Sequence, residues 1–207
     1  MPYSPEHKRH SRARILRAAH ELFAAKGYEQ VSIDQVMAAA GLTRGAFYAH
    51  FRSKSELYAK AILAAPGRSP FAKVETDEVD DWLQELLALY LGEDHLRQRL
   101  SPCPLAFFAT DVANRDPRVR RVYTQVYRRF NDFIRERLQR RGQPVRDQVL
   151  AATALMIGGV AVARALDDEA LRQRLLEACR RSVRQLLQEE QRVPTPVEEG
   201  AGGSSSL

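Results

Sequence analysis

The chain of 207 residues lacks most of what enzymes and metalloproteins need. It has two cysteines, Cys103 and Cys179, too few for a disulfide framework, and its five histidines show no ligand spacing. A reducing compartment and no metal are therefore expected. There is no Gly-rich phosphate loop, no GxSxG elbow, and no HExxH or CxxC pair, so no catalytic residue is assigned and an enzyme is not expected. Long hydrophobic runs are also missing. The longest, Val149 to Ala163, falls short of the ~20 residues that cross a bilayer and is followed by Arg164. The opening MPYSPEHKRHSRARIL has charges but no apolar signal core. These absences point to a cytoplasmic protein with no cofactor and no membrane partner.

What is present is ordinary in amount and uneven in placement. Apolar residues make up 44% and charged residues 28%, enough for a real core. The net charge of +6 is concentrated: residues 1–60 hold ten Lys/Arg against five acids, whereas the remaining 147 hold 22 against 21. Four of the five histidines also lie in the first 60 residues. A basic end on a near-neutral body implies a polyanionic partner for that end alone.

From Ser11 to Lys26, apolar residues recur at Ile15, Ala18, Ala19, Leu22 and Phe23, the spacing of one helix face. Gly27 reads as the stop, because glycine takes the left-handed conformation without a Cβ clash. Ser32 reads as an N-cap with Gln35 in the capping-box position, opening a short helix striped by Ile33, Val36 and Met37. Gly41 ends it, Leu42 plugs the turn, and Thr43 is placed to cap a third helix. Two short helices meeting at a glycine turn fit a helix-turn-helix.

At about 100° per residue, Phe47 and Phe51 define the buried stripe of the third helix. Gly45 and Ala49 then point outward, with Arg44 and Tyr48 on one flank and Ala46 and His50 on the other. Small residues on an exposed face suit close approach to base edges. Arg44 is the residue best placed to give two hydrogen bonds to a guanine. Tyr48, His50 and Lys54 carry donors suited to phosphate oxygens. The DNA-contacting set is thus Ser32, Thr43, Arg44, Gly45, Ala46, Tyr48, Ala49, His50 and Lys54.

Residues 12–63 resemble the N-terminal domain of the TetR family (TetR/AcrR-like) of bacterial transcriptional regulators. The resemblance rests on Ile15, Ala19, Phe23, Gly27-Tyr28, Ser32-Ile33, Ala40-Gly41-Leu42-Thr43, Gly45, Phe47-Tyr48, His50-Phe51, Lys54 and Leu57. It implies that Tyr48, His50 and Lys54 contact phosphates while Arg44, early in the recognition helix, touches bases. Ala49 departs from the family, where a larger aromatic is common, so affinity would lean on Arg44 and the N-terminal arm.

Beyond this region a fourth helix is predicted from Ser53 or Lys54 to Ala65, then a Pro/Gly-containing linker over 66–76. Helical patterns follow at Asp77–Leu91, around Leu105–Phe108, from Pro117 to about Arg141, over Val149–Ala163 and over Asp168–Leu187. Residues 101–150 hold eleven Arg, most simply a solvated helix face. Val149–Ala163 is apolar all round and so is expected to be buried on every side. After Gln191 the tail lacks apolar bulk and is expected to be disordered. The division is 8–65 for the DNA-binding domain, 66–191 for an effector-binding and dimerisation domain, and 192–207 for the tail.

The resemblance also implies a small-molecule effector inside the larger domain. Trp82, Leu86, Tyr90, Cys103, Phe107, Phe108, Tyr123, Tyr127 and Phe130 are the candidate lining, against the alternative that they simply fill the core. It further implies that the last two long helices pair with a second copy through Ala151, Ala154, Leu155, Gly158, Val162, Leu171, Leu175, Ala178, Val183 and Leu186, against the overlapping alternative that these helices belong to the core of their own chain. Cys103, before a helix beginning at Pro104, is placed either as a redox or electrophile sensor, its thiol pKa lowered by the helix dipole, or as an inert buried thiol. The fold class expected is all-α: a three-helix helix-turn-helix domain followed by a larger helical ligand-binding and dimerisation domain, about nine helices. The function expected is a homodimeric, ligand-responsive repressor of transcription on a palindromic double-stranded operator. A nonspecific nucleic-acid binder and a small helical enzyme or carrier remain the alternatives.

Overall fold

Ser4 begins the first helix: its Oγ accepts from the His7 amide at 3.2 Å, and Pro5 follows at the position where a missing N–H costs nothing. This computed structural model describes residues 4–64, 79–99, 102–139 and 146–188. Helix α1 runs Pro5–Gln30, starting six residues before the expected Ser11. The apolar stripe marks where the helix meets the core; the capping residue marks where its backbone begins. Gly27, at φ +78°, interrupts the helical backbone as expected, and a further turn continues to Gln30.

Helices α2 (Ile33–Ala39), α3 (Arg44–Phe47) and α4 (Lys54–Ala64) complete the N-terminal layer. The Ser32 hydroxyl accepts from the Gln35 amide at 3.1 Å while Gln35 Oε1 accepts from the Ser32 amide at 2.8 Å, a complete capping box. Gly41 sits at φ +63°, and an added Cβ there would lie 2.6 Å from Arg14 Nη2. The turn needs glycine twice over, for its dihedral angle and for the arginine that crosses it. Thr43, expected to cap α3, makes no side-chain capping bond. Ile15, Phe23, Val36, Phe47, Phe51 and Leu57 fill the centre of this layer.

The second layer comprises α5 (Val79–Tyr90), α6 (Glu93–Leu96), α7 (Pro104–Val112), α8 (Pro117–Gln139), α9 (Arg146–Ala165) and α10 (Glu169–Gln188). All described elements are helical. The short α6, not expected from the sequence, carries the buried His95. The linker at 66–76, the last two residues of the expected 117–141 helix and the tail from 192 lie outside the described residues.

Helices α9 and α10 pack along each other, and Gly159 makes this close: a Cβ there would lie 2.8 Å from Cys179 Sγ. One expectation for α9 is corrected. It is buried on one side only, because Leu150 (47% exposed) and Val162 (52%) face outward with Ala151 and Ala154. Asp147–Ala165 is long and apolar enough by composition to cross a membrane, but 44% of its most apolar stretch is buried inside the chain.

The layers join through α7 and the start of α8. Asp111 Oδ2 accepts from the Tyr28 amide at 2.6 Å and from the Tyr58 hydroxyl at 3.1 Å. Arg115 pairs with Glu29 at 2.5 Å, Ser55 donates to Asp116, and the His20 ring Nε2 donates to the Pro102 carbonyl at 2.6 Å.

Candidate nucleic-acid interface

The exposed side of the glycine turn and α3 gathers most of the expected DNA-contacting residues. Phe47 is fully covered and packs against Phe51 at 5.7 Å between ring centroids, so two aromatic anchors fix the roll of α3. That roll leaves Arg44, Gly45, Tyr48 and Ala49 exposed, with Ala46 and His50 half-buried on the flank. A Cβ at Gly45 would meet nothing within 4 Å, so its glycine serves openness, not packing. Tyr48 is 61% exposed and stands edge-on to Phe47 at 5.2 Å.

Three of the expected contact groups are engaged within the chain. Arg44 Nη1 donates to Asp34 Oδ2 at 2.7 Å, a pairing between exposed side chains of α3 and α2. Lys54 folds back over the Tyr28 ring, 4.2 Å from its centroid, and reaches the Glu29 carbonyl at 3.5 Å. Ser32 has its hydroxyl committed to the capping box, so its reach toward a phosphate is limited to any remaining lone pair. Thr43 is exposed and lacks a capping bond, which leaves its hydroxyl available.

Electrostatics favour an anionic partner on this side. Partial burial, with Lys8, Arg12 and His7 adding repulsion, holds the His50 imidazole below its ordinary pKa. It therefore presents a neutral N–H donor at pH 7. Arg12 lies 5.5 Å above the Phe51 ring, bringing a second α1 cation to the edge of α3.

The sequence reading missed Asp34, Tyr28 and Arg115. The ring of Tyr28 is shared: Lys54 approaches it at 4.2 Å and Arg115, from the second layer, at 4.5 Å. Asp34 does carry a signal, an acid in the first turn of α2, but helix-dipole compensation explains that without reference to Arg44.

The effector candidates are packed. Trp82, Leu86, Tyr90 and Phe108 are fully buried, and Cys103 and Phe107 nearly so. Tyr123 donates to the Leu105 carbonyl at 2.9 Å, Tyr127 lies 3.1 Å from Thr153 Oγ1, and Phe130 stacks on Tyr90 at 5.6 Å. Of the two alternatives for Cys103, the inert thiol is favoured: burial pushes the thiol pKa up, outweighing the Tyr90 hydroxyl at 3.5 Å and the nearby helix amides. The inert alternative fits this thiol, and an acidic sensor cysteine does not. Of the dimer candidates, Ala151, Ala154, Val162 and Leu171 are exposed, and Leu155, Gly158, Leu175, Ala178 and Leu186 half-buried. Val183 is wholly covered by its own chain, which removes it from any surface.

Two helices crossing at a tight glycine turn, with an anchored aromatic stripe beneath and cations above, form a helix-turn-helix. Residues 15–61 match the family model described as bacterial regulatory proteins, tetR family. The chain is 46% identical over 55 residues to the transcriptional regulator SrpR of Pseudomonas putida, covering 27% of this chain and 25% of that protein. It is 29% identical over 130 residues to the transcriptional repressor AcnR of Corynebacterium diphtheriae, covering 62% and 64%. The match thus spans less than two thirds of either relative. A solved TetR transcriptional regulator from Chloroflexus aurantiacus superposes with a TM-score of 0.68 at 25% identity, over 87% of this chain and 97% of that one.

Proposed function

We propose that the chain is a cytoplasmic, homodimeric transcriptional repressor that binds a palindromic operator and is released by a small-molecule effector. The observation that carries the DNA reading is the exposed Arg44–Gly45–Tyr48–Ala49 face held by Phe47 and Phe51. Arg44 would donate to a guanine in the major groove, with Tyr48, His50 and Lys54 on phosphates. Dimerisation is supported by the uncovered apolar side of α9 and α10, where Leu150, Val162 and Leu171 remain 45–52% exposed. Two copies would set half-sites about one helical turn, ~34–36 Å, apart or at a multiple of it. The effector reading draws on Trp82: its fully buried indole N–H has no hydrogen-bond acceptor among the described residues, a donor that a ligand atom could satisfy. The C. diphtheriae relative carries the name repressor, which favours that direction of control.

The test pairs two variants on DNA selected from random sequence. Arg44→Ala is expected to flatten discrimination between selected and scrambled sites, by about 1–3 kcal/mol. Lys54→Ala is expected to weaken both alike and to reduce the salt slope by about 0.9. Identical behaviour of the two variants on every sequence would leave only nonspecific binding.

A further inference from the structure

A cleft of about 770 Å³ opens between α4 and the start of α8, on the seam joining the DNA-binding layer to the second layer. Arg52 and Lys60 border it from one side and Arg118 and Arg121 from the other, while Leu63 and Val122 contribute an apolar floor. Two carboxylates border it as well, and both are engaged. Glu56 Oε2 accepts from the Arg52 amide at 2.8 Å. Asp116 accepts from Ser55 and, through Oδ1, from the Arg118 and Val119 amides at 2.8 and 3.2 Å. Among the described residues none of the four cations forms an ion pair with an acid.

From this we infer that the α4–α8 cleft is a binding site for an amphiphilic organic anion, whose acidic head is held by Arg118 and Arg121 and whose apolar body lies on Leu63 and Val122. Four cations against two carboxylates leave the concavity net positive, with Asp116 offsetting part of the Arg118 charge, and a bound anion would balance the remainder. The volume lies within the range of ordinary small-ligand sites. None of the aromatic effector candidates of the second layer borders this cleft, so the site is distinct from the one assigned to them. Its two walls belong to different layers, so a ligand here would bridge them beside the Ser55–Asp116 contact.

The probes are straight-chain carboxylates from butyrate to laurate, the alcohols of equal length, and inorganic phosphate, titrated by calorimetry into the full chain without DNA. Binding in this format does not depend on the repressor reading, so the two can fail separately. The longer carboxylates are expected to bind at least about tenfold tighter than the matching alcohols and than phosphate, because only they use both rim and floor. The double variant Arg118→Ala/Arg121→Ala is expected to lose at least about tenfold in carboxylate affinity. Both side chains are exposed, so the variant should fold. Its operator affinity without ligand should equal that of the parent. No carboxylate binding, equal binding of the alcohols, undiminished binding by the double variant, or a weaker operator complex with a reduced salt slope would each overturn the assignment. The last would make these arginines part of the DNA contact.

Discussion

The Tyr28 amide donates to Asp111 Oδ2 across 2.6 Å, linking the end of α1 to the end of α7. Gly27, one residue before, supplies the φ of +78° that redirects the backbone at this point. The same carboxylate oxygen takes the Tyr58 hydroxyl, whose pKa is raised by burial first and by Asp111 second. Asp111→Ala removes the acceptor from both donors at once. A loss of about 1–3 kcal/mol in stability is expected, read as a lower urea midpoint with an unchanged m-value.

Arg44 is held by Asp34 before any DNA arrives. The pair is exposed, so its contribution to folding is small, on the order of 0.2–1 kcal/mol. Its effect on recognition should be larger, since a tethered guanidinium samples fewer directions and the carboxylate repels phosphates. Asp34→Ala is expected to raise affinity for scrambled DNA more than for the selected operator. Gel-shift competition between the two sequences reads this; a constant affinity ratio would mean that Asp34 has no part in base choice.

The helix-turn-helix was legible because its markers are local. Ser32 with Gln35, Gly41, and the pair Phe47 and Phe51 each state a backbone or burial requirement within a few residues. What stayed hidden depends on tertiary geometry. Nothing in the spacing of Asp34 and Arg44 indicates that a turn brings them to 2.7 Å, and Tyr28 meets Arg115 only after two layers pack. Composition misled at Val149–Ala163, because alanine and glycine look alike whether covered by the same chain or by none. At Cys103 the sequence places the thiol at a helix start but cannot weigh the dipole against burial, and burial wins.

Stability should fall on mild acidification. Burial, with Arg164 adding repulsion, pushes His95 down to about 4, and burial lowers His20 in the same direction. Between that value and about 6.5 the unfolded chain binds more protons than the folded one, so unfolding gains on acidification. The contribution is complete above pH 6.5 and is lost as the pH falls toward 4. Urea midpoints from pH 7 to pH 5 should decrease, with a shallower slope in His95→Gln. The lowered carboxyls Glu29 and Asp116 act only at lower pH and leave this window clear.

Charges on the uncovered face should separate the copies. Val162→Asp with Leu171→Asp places two carboxylates on residues that are 52% and 45% exposed in the single chain. The fold of each chain should survive. Light scattering is expected to report a dimer for the parent and a monomer for the variant. A dimer of unchanged strength would move the self-association surface elsewhere.

The adjacent glycines 158 and 159 give α9 two different narrow sides. A Cβ at Gly159 would press on Cys179 within the chain, whereas one at Gly158 would meet nothing within 4 Å. One helix turn therefore carries two independent tolerances. A side chain at the inner glycine would have to displace Cys179 and part the two helices, whereas one at the outer glycine would leave the chain's own packing untouched.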